Sequence, residues 1–217
     1  MVPLPPGLLD APELALYEEQ IRARLEDEKR RREEFRERLS PSEKAEFING
    51  EVLVDSPATL RHCDVRANLA GLLHAHVRMR KLGVVGEEKL LVTLTRNDYE
   101  PDIVFFGAEK GALLQPSQVR FPAPDFIVEV LSPGTERNDR GIKLRDYAAH
   151  GVREYWLIDP DAEIVEQYEN ADSQYKLLFK LNTGTIASRV VEDFEIPVRA
   201  IFNAEENLSA LKRMLAS

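Results

Sequence analysis

The fold turns on residues 124–151, PDFIVEVLSPGTERNDRGIKLRDYAAHG. Phe126, Ile127 and Val128 lead into Glu129, and Val130 and Leu131 follow at once. The run has the length and composition of a buried strand. Strand side chains alternate in direction, so Asp125, Ile127, Glu129 and Leu131 share one face, and Phe126, Val128 and Val130 the other. A buried carboxylate must pair, bind a metal or take up a proton. Asp125 lies ~13 Å from Glu129 along an extended strand, too far to share one ion with it. The better partner is Asp102, which opens the preceding apolar run PDIVFF. Two acids on adjacent strands can converge on one hard cation, and Mg²⁺ usually takes one or two carboxylates plus waters and phosphate oxygens. Downstream, Lys143, Tyr147 and His150 recur at helical spacing. A helix over about 140–150 would start at Asn138 or Asp139 as N-cap, end at Gly151 and aim Lys143 at the acids. Residue chemistry leaves two readings open: a metal site, or a buried Glu129–Lys143 ion pair and nothing more.

Outward from this stretch, the remaining elements can be read in turn. Asn49-Gly50 within EFINGEVLV signals a two-residue hairpin. An amphipathic helix is expected over about 58–82, ended by Gly83. KLLVTL and DIVFFG read as strands, EYWLIDP and EIVEQYE as a hairpin, YKLLFKL and TIASRVV as a further pair, and LSALKRMLA as a closing helix. Hairpin, helix, strands, helix and more strands make an α/β domain, with a mixed central sheet and flanking helices. His74 and His76, two apart on one helix, face different ways and make a poor metal pair.

The first forty residues differ. Residues 18–38 hold 8 acidic and 8 basic side chains in 21, a solvated helix laced with i,i+4 ion pairs. Its thin apolar stripe, Leu14, Tyr17, Ile21, Leu25, Phe35 and Leu39, passes through the polar Glu28 and Arg32. Asp10 with Glu13, and Ser40 with Glu43, read as capping boxes, the second opening a short helix. The expected organisation is a charged helical extension over 1–40 and a domain over 41–217. The extension would lie on its own domain, a dimer mate or another protein.

The chain has 217 residues and a net charge of -9. Such a balance argues against a generally basic nucleic-acid binder, so any nucleic-acid contact must be a local patch. One cysteine, Cys63, rules out an intrachain disulfide. No run reaches the ~20 apolar residues of a membrane helix, and the opening residues do not have the form of a secretory signal, so a cytoplasmic protein is expected.

The segments PDIVFF and PDFIVEVLSPGTERNDRGIKLRDYAAHGVREYWLIDP resemble the Uma2 family of restriction-endonuclease-like proteins. The likeness runs from about Pro41 to Phe202. It implies a PD-(D/E)xK restriction-endonuclease-like core that hydrolyses DNA phosphodiester bonds with Mg²⁺ or Mn²⁺. On that resemblance Asp102 and Glu129 hold the metal. The superfamily's E-x-K lysine is missing, since Leu131 stands there, and Lys143 on the next helix replaces it to orient or activate water. Glu51, His62 and Tyr147 are auxiliary candidates. Glu51 could equally be an exposed hairpin acid, His62 a cap and Tyr147 a core residue. Arg137, Arg140 and Arg145 are candidates for phosphate contacts. A homodimer is expected, because two sites about a twofold axis cut both strands of symmetric DNA. The alternative is a non-catalytic DNA-binding or protein-interaction module on a nuclease scaffold.

Overall fold

The computed structural model describes residues 4–40 and 43–216. Its helices are α1 (Leu14–Arg38), α2 (Leu60–Arg80), α3 (Ala108–Gly111), α4 (Glu136–Asn138), α5 (Leu144–Ala149), α6 (Arg199–Phe202) and α7 (Ala204–Ala216). Its strands are β1 (Ala45–Ile48), β2 (Glu51–Val54), β3 (Gly83–Glu87), β4 (Leu91–Thr93), β5 (Asp98–Tyr99), β6 (Ile103–Gly107), β7 (Arg120–Phe121), β8 (Phe126–Val130), β9 (Glu154–Asp159), β10 (Ile164–Ala171), β11 (Gln174–Leu181), β12 (Thr185–Ala187) and β13 (Glu195–Pro197). The central sheet runs β11-β10-β9-β8-β6-β3, and a second runs β2-β1-β5-β4-β7. The central sheet is mixed: β8 and β9 are parallel, and β6 and β8 antiparallel.

The alternation read from residues 125–131 holds. Phe126, Val128 and Val130 pack with Trp156, Ile158 and the Val65–Val77 face of α2. Ile127 and Leu131 pack on the other side, with Tyr147 of α5 and with Ile48, Val92 and Tyr99 of the second sheet. Glu129 faces this second core, between the two sheets.

Asn49 and Gly50 turn β1 into β2 with positive φ at both residues, 52° and 89°, as the two-residue hairpin requires. Helix α2 is capped by the Thr59 side chain, which accepts from the His62 N–H. Lys81, in the left-handed region, ends it in place of the expected Gly83. Gly83 has another task. It faces Gly107 where β3 meets β6, with φ 150°, and a Cβ there would stand 2.0 Å from the Phe106 carbonyl oxygen. Gly83→Ala should therefore lower stability by about 2–3 kcal/mol, read as a shift in the urea midpoint.

Three local readings change. Asp10 lies in a separate turn, Leu8–Asp10, and α1 begins after Glu13 with no side-chain cap. Ala11 precedes Pro12 and is extended, as a residue before proline prefers, which breaks the helix there. The short helix expected after Ser40 falls partly on residues 41–42, outside the described residues, and β1 begins at Ala45. The strand TIASRVV does not pair with YKLLFKL: β11 completes the edge beyond β10, whereas β12 pairs with β13. Among the described residues, no helix is long and apolar enough to cross a membrane.

Helix α1 is divided along its length. Its outer stripe is exposed, Ile21 54% and Leu25 46%. Its inner half buries Glu28, Arg32 and Phe35. The stripe's polar positions are the ones that dock. Arg32 grips both carboxylate oxygens of the fully buried Asp98 and the carbonyls of Leu94, Thr95 and Asn97. Glu28 is held by Arg24 and Arg96.

Candidate functional site

The β6–β8 register places Ile103 opposite Val128, so Asp102 falls beside Glu129 as the strand reading required. Both are buried. Asp102 accepts the Val130 N–H at 2.8 Å through Oδ2 and the Lys44 ammonium at 2.7 Å through Oδ1. His62, in the first turn of α2, brings Nε2 to 3.6 Å from the same Oδ1. Burial alone would raise the Asp102 pKa; the Lys44 charge and His62 outweigh it and hold the group below the usual carboxylate range.

Glu129 accepts from Lys143 Nζ at 3.1 Å and from the Tyr147 hydroxyl at 3.0 Å, both on Oε1. Lys143 Nζ also lies 2.9 Å from Glu46 Oε1 and 3.0 Å from Asp139 Oδ1. One ammonium thus serves three carboxylates. Burial chiefly, with Asp139 and Asp102 nearby, pushes the Glu129 pKa up to about 8 despite Lys143. Burial opposes the charge on Lys143, but Glu129, Glu46 and Asp139 raise its pKa well above the ordinary value. Tyr147 is a fully buried residue whose hydroxyl fixes Glu129.

Of the residues singled out from the sequence, the structure brings together Asp102, Glu129, Lys143, His62 and Tyr147, and it adds Glu46, Lys44 and Asp139, which sequence reasoning did not place in the cluster. Glu46 carries the same signal as Glu129, an acid inside an apolar run, and β1 is buried along its whole length. Asn138 or Asp139 was expected as the N-cap. The helical stretch instead begins at Glu136 and passes through a π turn at Asp139–Lys143, which sets Asp139 against Lys143. Single π turns of this kind recur at functional sites. Glu51 stays outside: its side chain is 70% exposed and meets Arg31 at 3.5 Å.

The proposed phosphate-contacting arginines divide. Arg137 and Arg145 are exposed. Arg140 pairs with Glu136 and Glu166, each at 2.7 Å. Burial opposes it, but Arg140, Lys180 and Tyr168 depress the Glu166 pKa from 4.5 to about 2. A depressed acid stabilises the fold fully above its unfolded pKa, and that stability is lost as pH falls through the folded value. Stability should therefore fall from pH 4.5 towards about 2, and Glu166→Gln should flatten urea midpoints measured across that window.

The donor set suits a hard divalent cation. Four carboxylates, Glu46, Asp102, Glu129 and Asp139, face two ammonium groups, Lys44 and Lys143, leaving negative charge to be met by protons or a cation. Asp139 Oδ1 is buried and makes no well-aligned hydrogen bond. Among the described residues, no three of His, Cys, Asp and Glu close on a single point. Asp102 and Glu129 could together offer two carboxylates, the number that Mg²⁺ usually takes alongside water.

Known proteins share this arrangement of elements. A solved structure from Anabaena variabilis ATCC 29413, described as "a putative nuclease belonging to DUF820", superposes with a TM-score of 0.66 at 18% identity, over 78% of this chain and 96% of that one. The two chains accordingly share a fold. "Uncharacterized protein sll1609" of Synechocystis sp. (strain ATCC 27184 / PCC 6803 / Kazusa) is 30% identical over 142 residues, 64% of this chain and 80% of the relative. The family model for Uma2, described as "Putative restriction endonuclease", matches residues 32–199, from the docked half of α1 to the start of α6. The chain belongs to the Uma2 family.

Proposed function

We propose that this protein is a divalent-metal-dependent endonuclease acting on DNA. The observation that carries the reading is the buried pairing of Asp102 and Glu129 on neighbouring strands, with more carboxylates than ammonium groups around them. Asp102 and Glu129 would hold Mg²⁺ or Mn²⁺. When bound, such an ion supplies Lewis-acid stabilisation of a phosphodiester and a water of lowered pKa. The chain's own residues set the geometry. Lys143 and Tyr147 fix the Glu129 carboxylate, and the Val130 N–H fixes Asp102. Lys143, within 3.1 Å of three carboxylates, orients water through Glu129. A homodimer would place two such sites for cutting both strands.

A second reading is favoured by one observation: both ammonium groups already lie on the carboxylates. On that reading the chain is a non-catalytic DNA-binding or protein-interaction module. Cleavage separates the two. Supercoiled plasmid at low salt should be nicked in Mg²⁺ or Mn²⁺ and left intact in EDTA. Asp102→Asn and Glu129→Gln should each lower the rate by about 10³-fold or more, the scale set by losing electrostatic stabilisation at the reacting centre. An inert wild type, or variants that cut equally well, would overturn the nuclease reading and leave the module reading standing.

A further inference from the structure

We propose that Lys44 is the side chain that contacts the phosphate of the bound nucleic acid, with Lys143 serving as the internal counter-charge of the site; this rests on the nuclease reading. The two lysines differ in what they have left to give. An ammonium has three N–H donors. Lys143 is 2% exposed and has three carboxylates within 3.1 Å, Glu46, Asp139 and Glu129. It can reach a substrate only by abandoning one of them, which would leave a buried acid unpaired. Lys44 is 21% exposed, and among the described residues it donates one hydrogen bond, to Asp102. Its next neighbour is Asp55 Oδ2, at 3.8 Å and beyond hydrogen-bond reach. Lys44 is thus the more open of the two ammonium groups, and an incoming acceptor can approach it without Lys44 leaving Asp102.

Position agrees with capacity. Lys44 stands just before β1 and bonds the Asp102 oxygen that His62 also approaches, so it lies beside the first turn of α2. A 21-residue helix presents its positive end there, which favours a phosphate. The arginines expected to bind phosphate are less well placed: Arg140 is engaged by Glu136 and Glu166.

The test is the salt dependence of DNA binding, which counts phosphate contacts and does not require turnover. A short fluorescein-labelled duplex is titrated by anisotropy in Ca²⁺, so that the site is cation-loaded. Lys44→Met should weaken binding and reduce the slope of log K against log salt by about one. Lys44→Arg should restore the slope. In Mn²⁺ the Lys44→Met variant should nick plasmid about tenfold or more slowly, as loss of a charge-assisted contact predicts. A Lys44→Met variant that keeps the wild-type slope and melts normally overturns the proposal, even if the wild type is a nuclease. A wild type that neither binds nor cuts DNA overturns the nuclease reading and this proposal with it.

Discussion

Lys143→Ala should lower the unfolding free energy by about 3–5 kcal/mol, the cost of stripping a buried charge of its partner. The effect is large because one ammonium compensates three acids. Glu46, Glu129 and Asp139 are each at most 3% exposed and lie within 3.1 Å of it. Alanine leaves all three without that cation. They must then take up protons or admit water, and both cost stability. The urea midpoint reads the loss. A second change identifies its cause: Glu46→Gln added to Lys143→Ala should recover part of it, because residues sharing one network do not act additively. Full additivity of the two changes would mean that the lysine matters for its packing and not for its charge.

Arg32→Ala should cost a similar amount, about 3–5 kcal/mol, although it lies in the helix that looked most like an appendage. Asp98 is completely buried and, among the described residues, would be left with Arg36 as its cationic partner. The carbonyls of Leu94 and Thr95 would lose their side-chain donor, a further penalty for unmet polar groups, whereas the Asn97 carbonyl keeps the Leu94 N–H. Ile21→Ala, on the outer stripe of the same helix, should change stability by no more than about 0.5 kcal/mol, because that side chain is 54% exposed. The contrast between the two positions, read by urea unfolding, places a functional boundary inside α1. The family match, which begins at residue 32, falls on the same inner half.

The pairing of Asp102 with Glu129 was legible because it needs local information alone: the period of a strand and an acid inside each of two apolar runs. The Asn49-Gly50 hairpin was legible for the same reason. Lys143 followed from helical spacing. Glu46 carried the signal of an acid inside an apolar run, but nothing near residue 45 says that β1 of the second sheet will bring it and Lys44 to the β6–β8 face of the first. That fact belongs to the topology. Asp139 was misread because capping rules assume a regular first turn, and the chain instead makes a π turn there. Glu28 and Arg32 seemed to spoil the stripe of α1. Pattern reading counts apolar positions and cannot see that Arg96 and Asp98 wait opposite with the matching charge.

The claim that this acid cluster is a cation site is tested most directly by calorimetric titration of Mn²⁺ into the protein. Wild type should bind the ion, with protons released as it enters, and Asp102→Asn and Glu129→Gln should each weaken binding by about tenfold or more. A wild type that binds no Mn²⁺, or variants that bind it as tightly as wild type, would contradict the account.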